Sequence, residues 1–236
     1  MQGARNKLLN NTDIVVPIYN EEETIPELLH RLREACPGAR MIFVDNASTD
    51  RTIELLVEGG VTDLVLHDEN LGYGRSLLDG MRHGSGDHVI VIDADLEYWP
   101  EDIPAMLEKL READAVIGSR FLARGESPPA MQKYRSLGNG LVTGLFNLLF
   151  RQRLTDLYTG IRAFERRALP LGQLESSGFE FVLELSARLA HAGVTIAEVP
   201  AGYTPRSTGS SKMRHIPEFI KFVRRLVSLR IGLGSN

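Results

Sequence analysis

The chain has 236 residues, of which 25% are charged and 43% are hydrophobic, and its formal net charge is −4. These values are typical of a globular α/β protein and argue against disordered and fibrous proteins. The single cysteine, Cys36, excludes an internal disulfide framework. We find no signal-peptide pattern and no run of about 18 apolar residues, so we expect a cytoplasmic protein without a membrane-spanning helix.

Positive charge is concentrated in the carboxyl-terminal part of the chain. From Arg206 onward there are seven Lys or Arg residues and one acid, so the residues before Arg206 carry a strongly negative net charge. A basic patch of this kind attracts phosphate, whether of a lipid headgroup, a nucleic acid or a small substrate. Nucleic acid is the weakest of the three interpretations, because the basic residues are not interleaved with aromatic ones.

The first half of the chain alternates strand patterns with helical patterns. Strands are predicted at 13–18, 41–44, 64–67, 89–92 and 115–118, and helices at 25–34, 52–58, 75–83 and 100–112. Asn20, with Glu23 three residues later, predicts an N-cap for the first helix. Strands that alternate with helices of this length predict an α/β fold with a Rossmann-like, mostly parallel sheet and flanking helices.

The alternation ends after residue 118. A loop is predicted at 120–129, strands at 160–164 and 195–199, a helix at 179–191 and a polar loop at 202–212. The apolar segment 140–150 would be about 16 Å long as a helix, too short for a bilayer of about 30 Å, so it is a core helix or a shallow interfacial one. Position 77 is Leu, so the third glycine of a dinucleotide-binding motif is missing and we discount an NAD site.

The last segment predicts a basic amphipathic helix, which we separate as 214–236 from a domain at 1–213. Its apolar face comprises Ile216, Phe219, Ile220, Val223, Leu226, Val227 and Ile231, and its polar face comprises Lys221, Arg224, Arg225 and Ser228. Such a helix either lies on an anionic membrane surface or docks on the core with its basic face in water. The second apolar segment flanked by cations favours the membrane interpretation.

Acidic side chains follow the buried strand predicted at 89–92. Asp93 and Asp95 would point the same way from extended backbone, at the edge where open α/β sheets bind ligands. Two such carboxylates repel each other unless a cation lies between them. A Mg²⁺ or Mn²⁺ ion that carries a diphosphate suits them, because these hard ions take oxygen ligands from carboxylates and phosphates. The alternative is an ordinary acidic turn that caps the helix after Pro100.

Short motifs follow the predicted strands in order. They are Pro17-Ile-Tyr-Asn-Glu21, Asp45-Asn-Ala-Ser-Thr-Asp50, Asn70-Leu-Gly-Tyr-Gly74 and Asp93-Ala-Asp-Leu-Glu-Tyr-Trp-Pro-Glu101. Together they resemble the family 2 glycosyltransferases of GT-A fold, over residues 13 to about 213. Three later motifs are similar to the branch that contains dolichol-phosphate mannose synthase and bacterial polyprenyl-phosphate glycosyltransferases: Gly118-Ser-Arg120, Asp156-Leu-Tyr-Thr-Gly-Ile-Arg-Ala-Phe164 and Tyr203-Thr-Pro-Arg-Ser-Thr-Gly-Ser-Ser-Lys212.

The resemblance implies a role for each matching residue. The residues that bind the nucleotide sugar would be Pro17, Tyr19, Glu21, Asp45, Asn70, Gly74 and Asp93, with Asp45 reading the base. The metal ligands for Mg²⁺ or Mn²⁺ would be Asp93, Asp95 and Glu97. The catalytic residues would be Asp95, Arg120, Asp156, Arg206 and Lys212, of which the three cationic ones would face the donor diphosphate or the acceptor phosphate.

Two positions depart from the pattern of the family. Relatives often carry a second acid where this chain has Asn46, which leaves the choice of base open. They often carry Gln where this chain has Glu97, which would add a third negative charge near the metal.

The resemblance implies inverting, metal-dependent transfer of a hexose from a GDP- or UDP-linked sugar to a polyprenyl phosphate. A phosphate acceptor is already an anion and needs no strong base; for a hydroxyl acceptor, Asp156 is the nearest candidate base. The alternatives are transfer to a soluble or glycan hydroxyl in cell-envelope polysaccharide synthesis, and a non-catalytic nucleotide-binding or envelope-assembly subunit. The expected partners are an anionic membrane surface on the cytoplasmic face and a membrane-embedded subunit, but no nucleic acid.

Overall fold

The computed structural model is built on one seven-stranded sheet. It describes residues 8–122, 133–205 and 215–234, with only the backbone at 133–135 and 215–220. The strands are β1 (Thr12–Ile18), β2 (Arg40–Asp45), β3 (Asp63–Leu66), β4 (His88–Ile92), β5 (Ala115–Ser119), β6 (Ile161–Glu165) and β7 (Ile196–Pro200). Their order is β3-β2-β1-β4-β6-β5-β7, and β6 alone runs antiparallel to its neighbours among these strands. The predicted mostly parallel sheet is confirmed.

Helices cover both faces of the sheet. They are α1 (Ile25–Ala35), α2 (Thr52–Glu58), α3 (Tyr73–His83), α4 (Ile103–Lys109), α5 (Lys133–Phe150), α6 (Phe181–His191) and α7 (His215–Leu233). Alternate residues of β1 show the two layers, because Ile14 packs in the cluster with α1 and α4, whereas Val15 packs in the cluster with α3 and α6. Burial on both faces explains why the strand sequences are continuous apolar runs.

Two local predictions in the first half of the chain are corrected by the structure, one in its N-cap and one in its bounds and helix type. The first helix begins at Ile25 with Thr24 as the N-cap, not Asn20. Asn20 has a φ of +53° and its Oδ1 accepts a hydrogen bond of 2.8 Å from the Thr49 amide, so it joins two loops instead of capping a helix. The helix predicted at 100–112 is a short 3₁₀ turn, Pro100–Asp102, followed by α4.

The apolar segment predicted at 140–150 is the second half of a longer helix. α5 has 18 residues. It buries Val142 and Phe146 against α6 and α7, but it leaves Leu137, Leu141 and Leu148 exposed. Among the residues that the structure describes, no helix has both the length and the apolar character needed to cross a bilayer.

The terminal helix α7 docks on α5 and α6. Phe222, Leu226 and Leu229 are buried at spacings of four and three residues, so they form one helical face. The apolar face predicted from the sequence is therefore only partly correct, since Phe222 and Leu229 were not assigned to it. Val227 and Ile231 were assigned to it, yet they are 42% and 66% exposed. The helix thus has a buried apolar face and further apolar residues in contact with solvent.

An ion pair adds to this docking. Arg225, predicted on the polar face, lies with its Nη2 atom 3.0 Å from Oε2 of Glu184 on α6. Glu184 is fully buried and also accepts hydrogen bonds from Ser176 N and Arg188 Nε. Burial alone would raise the pKa of Glu184, but these donors outweigh it and lower the pKa to about 2. Because breaking a buried pair costs about 3 to 5 kcal/mol, Arg225 is a docking residue more than a surface charge.

Candidate active site

Polar residues meet where several strands end. The carboxyl ends of β1, β2, β4 and β5 lie on the same side as the amino end of β6, and we call this side the carboxyl edge. β2 and β3 lie on one side of β1, and β4 lies on the other. The succession of strands thus reverses its direction beside β1. A reversal of this kind opens a crevice at the carboxyl ends of the strands, where α/β proteins bind ligands. Asp45 is the last residue of β2 and Asp93 directly follows β4, so both lie at the carboxyl edge.

The carboxylate of Asp93 is held from two directions. The Tyr73 hydroxyl donates a hydrogen bond of 2.7 Å to Oδ1. A Cβ atom at Gly160 would overlap Oδ2, so only glycine leaves room for this carboxylate. The Asp93 amide also donates to the Gly160 carbonyl, at 3.2 Å. Burial and the nearby Asp93 charge raise the pKa of Tyr73 well above its ordinary value, which keeps the hydroxyl a donor.

The two acids that follow Asp93 lie on a tight turn. Leu96 has a φ of +60°, and Oδ1 of Asp95 accepts a hydrogen bond of 3.1 Å from the Glu97 amide. Within the described part of the chain, no three His, Cys, Asp or Glu side chains are grouped so that they could hold a metal ion. The three predicted ligands therefore do not form a metal cage by themselves. Mg²⁺ and Mn²⁺ sites commonly use one or two carboxylates plus phosphate oxygens, which Asp93 and Asp95 can still satisfy.

The segment that precedes the basic region is attached beside these acids. The Thr204 amide donates to the Glu97 carbonyl at 2.8 Å, and Trp99 Nε1 donates to Thr204 Oγ1 at 2.9 Å. Arg206 and Lys212, both predicted to be catalytic, lie outside the described residues. In the sequence, both follow this anchored segment within eight residues.

Arg120 and Asp156 form a buried bidentate ion pair. Arg120 Nε lies 2.7 Å from Oδ2 and Nη2 lies 2.9 Å from Oδ1 of Asp156. The Arg120 amide and Asn139 Nδ2 also donate to Asp156, at 3.1 and 2.9 Å. Asp156 is 0% exposed, and four donors occupy its carboxylate. This geometry favours a role in holding Arg120 over the predicted role as a general base.

The guanidinium of Arg120 is enclosed as well as paired. Its central carbon lies 5.7 Å from the ring centre of Tyr98 and 5.4 Å from that of Tyr203. Nη2 also donates to the Tyr158 carbonyl at 2.6 Å. Burial alone would lower the pKa of Arg120, but the tyrosines and Asp156 raise it above the ordinary value. Arg120 therefore supplies a permanent positive charge near the carboxyl edge, with most of its donors already engaged.

Asp45 has one satisfied and one unsatisfied oxygen. Oδ2 accepts a hydrogen bond of 2.9 Å from the Ser48 amide. Oδ1 is buried and has no hydrogen-bond partner in the part of the chain that is described. The residue is 1% exposed. An unpaired buried carboxylate oxygen is costly, so Oδ1 of Asp45 is an acceptor that a donor brought by a ligand would satisfy.

The other predicted nucleotide residues have mixed environments. Tyr19 and Glu21 are half-buried just beyond β1, and Pro17 is buried within it. Gly74 packs against Phe181, where a Cβ atom would overlap that side chain, so its glycine is explained by helix packing. The structure therefore brings Tyr19, Asp45 and Asp93 to the carboxyl edge, whereas Gly74 serves the contact between α3 and α6.

Two residues in contact with Asp93 were not predicted from the sequence. Tyr73 and Gly160 both lie inside the motifs quoted above, but nothing in those motifs indicates that they meet at one carboxylate. The signal that could have identified Tyr73 is its place immediately after Gly72, at the start of a helix on the ligand-binding side. No sequence signal links Gly160 to Asp93, because the contact depends on the antiparallel pairing of β6 with β4.

Comparison with known proteins now assigns the family. Residues 13–170 match the family model described as Glycosyl transferase family 2. The chain therefore belongs to glycosyl transferase family 2, and it is a glycosyltransferase. The predicted family and its resemblance to enzymes that use polyprenyl phosphates are confirmed by the relatives described next.

Two relatives and one solved structure illustrate the match. Undecaprenyl-phosphate mannosyltransferase of Micrococcus luteus is 34% identical over 84% of this chain and 86% of its own length. Dolichol-phosphate mannosyltransferase of Pyrococcus furiosus is 29% identical over 91% of this chain, which spans 63% of that protein. Glucosyl-3-phosphoglycerate synthase from Mycobacterium tuberculosis, in complex with Mg²⁺ and uridine-diphosphate, matches 99% of this chain and 83% of its own, with a TM-score of 0.73 and 19% identity. This structural match confirms the predicted GT-A fold and no more.

A side chain at position 160 would collide with the Asp93 carboxylate. Gly160→Ala would push the Asp93 carboxylate from its position, and misplacing a binding group by about 1 Å can cost about 100-fold in rate. We expect glycosyl transfer to fall by about that factor while the protein stays folded, as measured by initial rates and thermal unfolding. Gly172→Ala is the matched control, because a Cβ atom there meets nothing within 4 Å. Wild-type rates in Gly160→Ala would refute the importance of this Asp93 position.

Proposed function

We propose that this glycosyltransferase moves a hexose from a GDP- or UDP-linked sugar to a polyprenyl phosphate, with inversion at the anomeric carbon and with Mg²⁺ or Mn²⁺. The observation that carries the donor half is the buried, unpaired Oδ1 of Asp45 on the same edge as Asp93. The acceptor half rests on the relatives named as undecaprenyl-phosphate and dolichol-phosphate mannosyltransferases.

The base of the donor would bind at Asp45. Guanine and uracil both present ring N–H groups that can donate to a carboxylate, and Oδ1 of Asp45 is an acceptor that needs such a donor. The base and ribose would be lined by residues at the end of the neighbouring strand β1. These are Pro17, near the end of the strand, and Tyr19 and Glu21, which follow it. Because both bases satisfy the same acceptor, this contact supports a nucleotide without choosing between GDP and UDP.

The diphosphate of the donor would bind at Asp93 and Asp95. These carboxylates would hold the divalent ion, which when bound neutralises the negative charge that develops on the departing diphosphate. Tyr73 and Gly160 keep the Asp93 oxygens in place before the donor arrives. Glu97 remains a predicted further ligand or a nearby negative charge.

The acceptor phosphate would meet the cationic residues. Arg120 carries a permanent charge beside the edge, and we propose Arg206 and Lys212 as further contacts to phosphate on the basis of sequence alone. Charge-assisted hydrogen bonds of this type contribute about 1.5 to 3 kcal/mol each. Asp156 would act by holding Arg120, since four donors already occupy it. A phosphate acceptor is consistent with this arrangement, because it needs no strong base.

A membrane surface would present the lipid acceptor. α5 exposes Leu137, Leu141 and Leu148 at spacings of four and seven residues, which places them on one side of the helix. α7 exposes Val227 and Ile231 beside exposed cations. Apolar residues flanked by cations suit peripheral contact with an anionic bilayer. We therefore propose peripheral association with the cytoplasmic face of the membrane, where a membrane-embedded subunit could join the enzyme.

The acceptor can be tested directly by a transfer assay. Radiolabelled GDP- and UDP-hexoses are offered with long polyprenyl phosphates, with the corresponding polyprenols and with 3-phosphoglycerate, in the presence and absence of Mn²⁺. We expect product only with polyprenyl phosphate, only with metal, and none from Asp95→Asn, because an amide cannot offset the charge of the ion. Transfer to 3-phosphoglycerate instead would place the soluble-acceptor alternative first.

The membrane proposal is tested by flotation with liposomes. Each cation near an anionic surface contributes about 1 kcal/mol, so reversing the charges of Lys221, Arg224 and Arg230 together should release the protein from anionic vesicles at low salt. Arg225 is left unchanged because it pairs with Glu184.

Reversal of three exposed arginines elsewhere, Arg51, Arg82 and Arg111, is the matched control and should not change flotation. Absence of flotation of the wild-type protein with anionic vesicles would show that α7 is only a docked structural helix. Equal loss of binding in both triple variants would show that net charge, and not the surface of α7, determines binding.

A further inference from the structure

Asn46 directly follows Asp45, the last residue of β2. Its side chain is buried and joins two loops of the carboxyl edge. Oδ1 accepts a hydrogen bond of 2.8 Å from the Leu71 amide and lies 3.1 Å from Nδ1 of His67. Nδ2 donates to Oδ1 of Asn70 at 2.9 Å. Asn46 thus uses both ends of its amide to bind the segment that follows β3.

Backbone amides fix the orientation of both asparagine side chains. The Leu71 amide can only donate, so the atom of Asn46 that faces it is the oxygen. In the same way, the Gly72 amide donates to Asn70 at 3.1 Å and identifies the Asn70 oxygen. Because the Asn46 oxygen is an acceptor, the facing Nδ1 of His67 is the donor in that contact.

His67 lies between this pair and helix α3. Its side chain is only 6% exposed, and Nε2 lies 3.2 Å from Oδ2 of Asp79 without forming a hydrogen bond to a described residue. The same Asp79 oxygen accepts a hydrogen bond of 2.6 Å from Arg75 Nε. His67 therefore lies between Asn46, at the end of β2, and the first turns of α3.

The segment held by Asn46 leads directly to Asp93. Gly72 has a φ of +94°, and Tyr73 follows it with its hydroxyl on Asp93. On the other side of the segment, the Ser177 carbonyl accepts a hydrogen bond of 3.2 Å from the Arg75 amide. The position of Tyr73, and through it that of Asp93, depends on contacts on both sides of residues 70–75.

A carboxylate at position 46 could not make the same set of contacts. It could accept from Leu71 and His67, but it would place an acceptor against the Asn70 oxygen. If the Asn70 amide turned to donate to it, the Gly72 amide would lose its acceptor. One hydrogen bond of the set is lost in either arrangement. The full set of contacts therefore requires an amide, and not a carboxylate, at position 46.

We propose that Asn46 and His67 are positioning residues that fix residues 70–73, and thereby Tyr73 against Asp93, while reading of the base is left to Asp45. This inference rests on the proposed function, because it takes Asp45 and Asp93 as the two ends of the donor site. The amide at position 46 then sets the geometry of this loop and does not change the preference for a base.

Asn46→Asp tests this assignment. Loss of one hydrogen bond corresponds to an increase of about five- to tenfold in the KM for the sugar nucleotide, with kcat changed less than about twofold. We expect faster hydrogen exchange of the Leu71 and Gly72 amides and an unchanged ratio of kcat/KM for GDP- and UDP-linked donors. A changed ratio would show that position 46 reads the base. An unchanged KM and unchanged exchange would refute the positioning role.

Two variants of His67 separate its contacts. The amide of Asn reproduces the position of Nδ1, so His67→Asn should retain the contact with Asn46 and a nearly normal KM. The amide of Gln reproduces Nε2, so His67→Gln should lose that contact and resemble Asn46→Asp. Equal effects of both substitutions would refute a specific contact between His67 and Asn46.

Failure of the proposed function has a different signature from failure of this inference. If the wild-type protein transferred no sugar from any nucleotide donor, the proposed function would fail. The hydrogen-exchange comparison of wild-type protein, Asn46→Asp and His67→Asn requires no substrate, so it would still show whether Asn46 holds residues 70–73.

Discussion

The position of one carboxylate, Asp93, determines most of the arrangement around it. A hydroxyl fixes one of its oxygens and the missing Cβ of a glycine leaves space for the other. These two residues belong to different parts of the chain, since Tyr73 is the first residue of α3 and Gly160 precedes the antiparallel strand β6. The sheet order therefore has a consequence for the geometry of this edge, because the insertion of β6 beside β4 places a glycine carbonyl and an open space next to Asp93.

The loops at the carboxyl edge support one another in sequence. Asn20 binds the loop after β2, Asn46 binds the segment after β3, and Tyr73 in that segment binds Asp93. Each link is a short polar contact between residues far apart in the chain. Preorganised groups of this kind can bind charge without rearranging when the substrate arrives, which is the main electrostatic contribution to many enzymes. The buried pair of Arg120 and Asp156 is held in place in the same way on the other side of β4.

The sequence predicted the strands and most helices because a parallel sheet buried on both faces requires continuous apolar runs. It also placed the motifs that begin with Asp45 and Asp93 directly after predicted strands, and residues that follow parallel strands lie on one edge of the sheet. It could not predict the exposed side of α7, because that helix carries more apolar residues than one face can bury, and only the contact with α5 and α6 selects Phe222 and Leu229. The pairings of Asn20, Asp156 and Gly160 depend on long-range contacts that no local pattern encodes.

We propose that Asp45 and Asp93 form the two ends of a preorganised site for a nucleoside diphosphate with a divalent ion. Calorimetric titration of GDP and of UDP into the wild-type protein, with and without Mn²⁺, tests it most directly. We predict one binding site per chain and affinity for at least one of the two nucleotides that rises strongly when the metal is present. Absence of binding for both nucleotides, or equal affinity with and without metal, would contradict this account.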